Sequence, residues 1–221
     1  MLVVAVALVS PVVTAAPAGD AGEYTFTVLK DGNPVGHHRV AFDREGDRIE
    51  IREETEIEVR VAMIPIYAFE HEGRQVWEDG RAIRIDAITK NNGETFDITV
   101  RANGDGYIRT VNGRVDKFAK STEVLALWNK DTLNHHSFFS AMEDKTLQVS
   151  FEFAGREKIA IAGKKLDVEH YRMVGDEERE LWYDTAGHIA KVELRRHGSE
   201  IAYVRDQATP RAPSSPCTKF C

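Results

Sequence analysis

The sequence predicts an all-β, mainly antiparallel protein, built as one large curved meander sheet or incomplete β-barrel of about 12–14 strands. Two patterns indicate this fold. Apolar and polar side chains alternate along residues 48–61 almost without a fault, and turn signals recur at short intervals through most of the chain. Because open twisted sheets rarely exceed ~10 strands, we expect the sheet to curl or close.

The alternation in residues 48–61 predicts a long, half-buried strand. Every even-numbered residue from Arg48 to Arg60 is charged. The opposite parity carries Ile49, Ile51, Thr55, Ile57, Val59 and Val61. Successive side chains of a strand point to opposite faces, so one face is expected to be solvated and the other to meet an apolar interior.

Turn signals separate the predicted strands from one another. Examples are Asp31-Gly32, Asn92-Gly93 and Asn112-Gly113. Asn-Gly and Asp-Gly pairs adopt the positive φ angles that tight hairpin turns require. We therefore expect antiparallel hairpins that follow one another in chain order.

Residues 62–69, A-M-I-P-I-Y-A-F, are apolar on both parities. A strand with two apolar faces is usually covered on both sides. Pro65 cannot donate to a strand ladder, which indicates an edge, a bulge or a bend at this position. We expect this segment to pass under residues 119–145.

Residues 119–145 break the pattern, since they contain no hairpin signal and no sustained alternation. Long irregular insertions in compact domains often serve as lids or binding loops. We expect a loop with one or two short helical turns that covers one side or the mouth of the sheet. A plug that simply fills the interior is the alternative interpretation.

The length of 221 residues favours one β domain, which we assign to residues 19–206. Residues 1–18 carry no charge, are rich in valine and leucine, and end in Ala16-Pro17-Ala18. This pattern is typical of a signal peptide cleaved before Gly19, although the usual basic start is missing. An uncleaved anchor is the alternative, but the apolar run is short for a hydrocarbon core of ~30 Å. The expected location is the periplasm or the exterior.

Residues 207–221 form a predicted flexible tail rich in Pro and Ser that ends with Cys217 and Cys221. In an exported protein two thiols this close can form a small disulfide loop, and incidental free thiols are the alternative. The chain has 36 acidic and 29 basic residues, a net charge of −7, which makes nucleic acid a poor partner.

No catalytic or metal-binding motif stands out. His37 and His38 are adjacent on a predicted strand, so their side chains point to opposite faces, and the spacing of His135 and His136 matches no zinc or iron pattern. A G-x-S-x-G nucleophile motif is absent from the sequence. We therefore expect no catalytic residue, metal or cofactor.

Aromatic and polar side chains near the irregular segments are the candidate ligand contacts. A concave sheet lined by such groups is typical of an apolar ligand pocket, and ordinary core packing is the alternative. The predicted ligand-binding residues are Tyr67, Phe69, Trp77, Trp128, Asn129, His136 and Phe139.

Five segments carry a resemblance to a known family: the leader (1–18), Y-T-F-T-V-L-K-D-G-N-P-V-G-H-H (24–38), W-E-D-G (77–80), L-W-N (127–129) and L-W-Y-D-T-A-G-H-I-A-K-V (181–192). Together they resemble an exported proteobacterial family of unknown function, over roughly residues 24–206. That family is similar to the unclosed β-barrel group that includes lipoprotein carriers of the periplasm. The resemblance implies an apolar concavity capped by a loop-helix insertion, and no catalytic residue.

These observations lead us to expect an exported protein that shelters an apolar small molecule, a lipid or an acyl chain, with an envelope protein as a further partner. One alternative is a lipocalin-like enzyme that uses His136 or Asn129 at the cavity mouth. Another is a structural or interaction module of the cell envelope with a filled core. A membrane-spanning barrel is disfavoured because aromatic residues make up only 9% of the chain and no aromatic girdle is visible.

The leader hypothesis predicts the start of the mature protein. Amino-terminal sequencing of protein recovered from the exported fraction should begin at Gly19 or within a few residues of it, because Ala16-Pro17-Ala18 provides the small residues that signal peptidase requires. Intact Met1 on protein confined to the cytoplasm would contradict both the signal peptide and the location.

Overall fold

The computed structural model describes residues 22–207, which form a single 15-stranded sheet. The first strands are β1 (Gly22–Lys30), β2 (Asn33–Glu45), β3 (Arg48–Val61), β4 (Ile64–Glu78), β5 (Arg81–Asn91), β6 (Glu94–Asn103), β7 (Gly106–Val111) and β8 (Arg114–Phe118). The remaining strands are β9 (Thr122–Val124), β10 (Ser137–Phe139), β11 (Thr146–Ile161), β12 (Lys164–Gly175), β13 (Arg179–Asp184), β14 (Ile189–Arg196) and β15 (Ser199–Arg205). A 3-10 turn spans Lys130–Asn134. The predicted signal peptide and the cysteine pair lie outside the described residues.

The sheet consists of two meanders, which are joined where the first and last strands of the described residues pair. The strand order runs from β8 down to β1, then from β15 down to β9. β1 and β15 pair in antiparallel register, with Phe26 opposite Arg205 and Val28 opposite Tyr203. Neighbouring strands are antiparallel throughout, apart from the parallel pair β9 and β10. The predicted all-β, barrel-like fold is therefore confirmed.

The barrel has one unsealed seam, between β8 and β9. These strands are consecutive in the chain yet lie at opposite ends of the strand order, and no backbone ladder joins them within residues 22–207. Side chains bridge the gap instead. The hydroxyl of Tyr107 donates to Glu123 at 2.6 Å, and the rings of Phe118 and Phe139 stack with centroids 4.6 Å apart.

A buried arginine ties the seam to the 119–145 segment. Arg109, on the inward face of β7, is only 2% exposed. Its guanidinium donates to the carboxylates of Asp116 at 2.9 Å and Asp144 at 3.0 Å, and to the carbonyl of Lys145 at 2.9 Å. The strand edge and the end of the segment are therefore held by one cation.

The 119–145 segment contains more strand than the sequence suggested. Its helical element is the 3-10 turn, but β9 and β10 also lie within it. Both strands are only three residues long, too short to show a period-two pattern. These two strands bring the sheet to 15, one more than the upper end of the predicted range of about 12–14. Phe138 and Phe139 of β10 are fully buried in the core.

The expectation that residues 62–69 are covered on both faces is wrong. They belong to the tip and first part of the β3–β4 hairpin, where Met63 is 86% and Ile64 65% exposed. Beyond Ile57 and Phe69, the ladders of β3 and β4 within the described chain join these strands only to each other, so the tip protrudes. Of the edge, bulge or bend expected at Pro65, the structure has a bulge, because the register shifts beside its partner Arg60.

Arg109 should carry much of the stability of the seam. We expect Arg109→Met to lower the free energy of unfolding by about 3–5 kcal/mol, because it leaves partly buried carboxylates and carbonyls without their donor. Urea denaturation followed by circular dichroism measures this change. The matched control is Arg114→Met, since Arg114 pairs with the same Asp116 and Asp144 but is 53% exposed. It should cost less than about 1 kcal/mol, and equal losses would contradict the role of burial.

Candidate ligand-binding cavity

The curled sheet encloses a cavity of about 660 Å³. Most of its wall is built by inward-facing side chains of β1 to β4, β14 and β15, and by two parts of the 119–145 segment. Residues near the β1–β2, β3–β4 and β14–β15 turns form the mouth, represented by Lys30, Val59, Ile66 and Ser199. The cavity therefore opens at the barrel end where these three hairpins turn.

The depth of the cavity follows from strand β3, which contributes alternate residues. Glu53, Thr55, Ile57 and Val59 all line it, in this order toward the mouth. The first and last are six residues apart, which corresponds to a span of about 20 Å at ~3.3 Å per residue. The cavity is thus a deep channel and not a shallow surface groove.

The floor is formed by residues 125–128, which end with Trp128. The Trp128 ring makes edge-on contacts with Trp77 at 5.0 Å and Phe42 at 5.7 Å between ring centroids. The indole nitrogen Nε1 of Trp128 is buried and has no hydrogen-bond partner among the described residues. Below this layer the barrel is filled by core side chains.

The mouth carries a group of mutually compensating charges. Glu177 lies at its centre, 3.4 Å from Arg196 and 3.6 Å from Lys145, and it also pairs with Arg179. Burial alone would raise the pKa of the Glu177 carboxyl, but Arg179, Arg196 and Lys145 outweigh it and lower that pKa. The apolar channel therefore opens through a polar, charged rim.

A row of polar side chains crosses the inner wall. His38, Thr55, His71 and Thr89 are direct cross-strand partners on β2, β3, β4 and β5. The Nδ1 atom of each histidine lies 2.8 Å from the hydroxyl of the threonine beside it: Thr55 for His38, and Thr89 for His71. Each imidazole is thus held in place by a hydroxyl from the next strand.

Glu53 lies one inward position deeper on β3, and its side chain is only 9% exposed. Its carboxylate accepts a hydrogen bond from Gln75 at 2.8 Å and lies 3.8 Å from Nε2 of His71. Opposite Glu53 on β4 is Gly73, where an added Cβ would be 3.0 Å from the same His71 nitrogen. The glycine therefore leaves the space in which the His71 ring approaches the carboxylate.

The electrostatics of this group favour one ionised carboxylate beside a neutral imidazole. Burial lowers the pKa of His38 to about 4, although Glu53 opposes this shift. For Glu53, burial favours the protonated form, but His71, His38 and Gln75 outweigh it and lower the carboxyl pKa. At neutral pH the Glu53 carboxyl is therefore ionised, and the His38 imidazole is neutral.

Three of the seven residues predicted from sequence line the cavity: Tyr67, Phe69 and Trp128. Tyr67 lies close to the mouth, where its hydroxyl donates to Asn91 at 3.0 Å. Trp77 is 4% exposed and packs behind Trp128.

The other three predicted residues take positions away from the cavity wall. Asn129 caps the 3-10 turn by accepting a hydrogen bond from the amide of Asp131 at 3.1 Å. His136 is exposed, with its Nδ1 atom 3.3 Å from the carbonyl of Val149. Phe139 is fully buried against the seam.

Sequence reasoning missed Glu53, although a signal for it exists. Within residues 48–61, Glu53 is the one charged residue on the otherwise apolar parity. A charge at such a position points into the interior and requires partners there. Those partners, Gln75 and His71, come from β4 and could be assigned only once the β3–β4 register was known.

Residues 22–207 contain neither a metal-site cluster nor a membrane-crossing helix. No three His, Cys, Asp or Glu side chains in this part of the chain come together as a metal site would require. No helix there is long and apolar enough to cross a membrane.

An antiparallel sheet curled around a cavity, with one open seam, defines a β-barrel-like protein. A family model described as "Domain of unknown function (DUF6134)" matches residues 26–206, so the chain belongs to that family. The crystal structure of a β-barrel-like DUF1849 protein from Brucella abortus is similar, with a TM-score of 0.60 at 5% identity. The match covers 84% of this chain and 95% of that one, and it shows a shared fold. No curated protein matches the sequence.

His38 should make stability depend on pH. Its pKa is about 4 when folded and 6.5 in the reference state, so the unfolded chain binds more protons between these values. Stability should therefore fall as pH drops from about 6.5 to about 4, by roughly 2–3 kcal/mol in total. Glu53, whose lowered pKa starts from 4.5, acts only in the lower part of this range and below it.

The measurement is urea denaturation at several pH values. His38→Gln should flatten the decline between pH 6.5 and 4, because the variant has no imidazole to protonate at this site. His37→Gln, which removes the adjacent 52% exposed imidazole, is the matched control. An unchanged slope in His38→Gln would refute the assignment.

Proposed function

We propose that this protein is exported and binds an apolar ligand, a lipid or an acyl chain, in its cavity. The observation that carries the proposal is the channel of about 660 Å³ inside the barrel. Ligand pockets usually measure ~300–1,000 Å³ and are mostly apolar, with a few polar groups. The combination of an apolar wall and one polar row fits this description.

The apolar wall supports a chain-like ligand. Between the polar row and the rim, the channel is lined by side chains such as Val28, Ile57, Phe69, Leu194 and Ile201. Transfer of apolar surface from water to such a wall is favourable by about 25 cal/mol per Å². A long, narrow apolar molecule would use the full depth of the channel.

The 119–145 segment supplies both ends of the proposed binding site. Residues 125–128 form the floor, and residues 140–143 and 145 contribute to the mouth. Arg109 binds the carbonyl of Lys145 and so anchors the mouth portion to β7. In this proposal the first part acts as a plug and the second as a fixed part of the rim.

The protruding β3–β4 hairpin supports access from an apolar environment. Val59 and Ile66 line the cavity, while Val61, Met63 and Ile64 continue outward as exposed side chains. Apolar surface thus extends from the channel to the hairpin tip. A lipid moving from a membrane or an envelope protein would stay in contact with apolar groups along this path.

The export part of the proposal rests on the sequence of residues 1–18. The alternative enzyme with His136 or Asn129 at the cavity mouth gains no support from geometry, because neither residue lines the cavity. The second alternative is a structural module with a filled core. The absence of ligand binding in the experiment below would favour it.

Trp128 should contribute directly to ligand binding. Titration of the apolar dye N-phenylnaphthylamine should show binding to the parent protein, and Trp128→Ala should weaken it by about tenfold. The loss arises because the variant removes the aromatic floor of the channel. The control is Trp182→Ala, since Trp182 stacks on His170 at 4.5 Å in a separate apolar cluster and does not line the cavity.

Circular dichroism establishes whether both variants keep the β-rich fold. Native mass spectrometry of protein purified from its host should also detect lipid that is released by organic extraction. If the parent binds no apolar dye, carries no lipid, and Trp128→Ala unfolds the chain, the segment is a core plug and the ligand-binding proposal fails.

A further inference from the structure

An ionised Glu53 is energetically unfavourable on the wall of an apolar cavity. Removing an ionised carboxylate from water costs several kcal/mol, and a well-packed apolar residue at such a site is often as stable or more so. Its direct partner on β2 is Val40, and its inward neighbours on β3 are Ile51 and Thr55. An apolar side chain would thus pack beside Val40 and Ile51, and stability alone does not account for Glu53.

The carboxylate also has unused capacity to accept hydrogen bonds. An ionised carboxylate offers about four lone-pair sites. Among the described residues, Glu53 accepts one hydrogen bond, from Gln75, and has His71 at 3.8 Å. Both contacts involve the carboxylate oxygen Oε2, so Oε1 of this cavity-lining residue has no hydrogen-bond partner among the described residues.

The two ends of the channel differ in charge. The inner end has Glu53 as its charged residue, beside His38, Thr55 and Gln75. The mouth includes the cations Lys30, Lys145, Arg179 and Arg196 with two carboxylates, Glu143 and Glu177. A ligand with one polar end therefore meets different chemistry at the floor and at the rim.

We propose that Glu53 and its neighbours bind a hydrogen-bond-donating group, a hydroxyl or an ammonium, at the inner end of the apolar ligand. This inference rests on the proposed function and specifies its ligand. A donor group satisfies the free acceptor sites of Glu53, whereas an anionic head group is repelled from them. Anionic amphiphiles can then bind only with the head group among the mouth cations.

The hydrogen-bond chain behind Glu53 provides an optical reporter. The Trp77 indole donates to Gln75 Oε1 at 2.8 Å, and Gln75 in turn donates to Glu53 at 2.8 Å. A ligand donor at Glu53 should alter this chain and shift the emission of Trp77. An apolar tail without a donor group should change the emission of Trp128 by direct contact. That change should be the same in the parent protein and in Glu53→Gln.

The test compares three ligands with the same alkyl chain: hexadecanol, hexadecylamine and hexadecanoic acid. Each is titrated against bound N-phenylnaphthylamine and followed by tryptophan emission. Glu53→Gln should weaken binding of the alcohol and of the amine by about tenfold, the equivalent of one charge-assisted hydrogen bond. Binding of the acid should stay unchanged or become tighter. Comparison of the alcohol with the amine distinguishes a neutral from a cationic donor.

The matched control is Glu54→Gln, the same substitution on the adjacent residue, whose side chain is 43% exposed on the outer face. It should leave all three affinities unchanged. Urea denaturation checks that Glu53→Gln is folded, and the ranking in the parent protein is a second test that needs no variant. The alcohol and the amine should displace the dye at lower concentrations than the acid.

The outcomes separate this inference from the function on which it rests. If none of the three ligands and no dye binds the parent protein, the proposed function fails, and the inference fails with it. If all three bind equally and Glu53→Gln changes none of them, the cavity binds apolar chains but Glu53 does not select the head group. Tighter binding of the acid in the parent protein would also overturn the inference.

Discussion

The structure depends on the side-chain contacts that hold together the two free edges of a 15-stranded sheet. β8 and β9 are not joined by a backbone ladder, so closure rests on Tyr107, Arg109 and the stacked rings of Phe118 and Phe139. Arg109 acts at low exposure, where an arginine with carboxylate and carbonyl partners forms strong, directional contacts. The cavity exists because the sheet stays curled, and this small group keeps the last gap closed.

The same segment that closes the seam also shapes the cavity. Residues 119–145 follow β8 in the chain and contribute β9 and β10 to the sheet. They also place Trp128 on the floor of the cavity. Without this segment the sheet would end at β11 instead of β9, and the channel would have no floor. Structure and proposed binding site are therefore coupled through one stretch of chain, and substitutions there need a fold control before any effect on binding is interpreted.

Prediction from sequence succeeded where a local pattern has a direct structural consequence. The alternation of residues 48–61 identified β3, whose bounds are Arg48–Val61, and Asn-Gly or Asp-Gly pairs marked hairpin turns correctly. It failed for residues 62–69, since an apolar pattern indicates which side chains favour burial but not which element covers them. It also missed β9 and β10, because three-residue strands form through their partners.

The sequence by itself determined the β class, the parity of the long strands and the turns between them, because backbone geometry links period two and positive φ to local structure. It also contained the anomaly of Glu53 on an apolar parity. Only the tertiary structure decided that β1 pairs with β15, and that His38, Thr55, His71 and Thr89 form one row. Register between strands distant in the chain depends on the packing of the whole barrel, which no local pattern records.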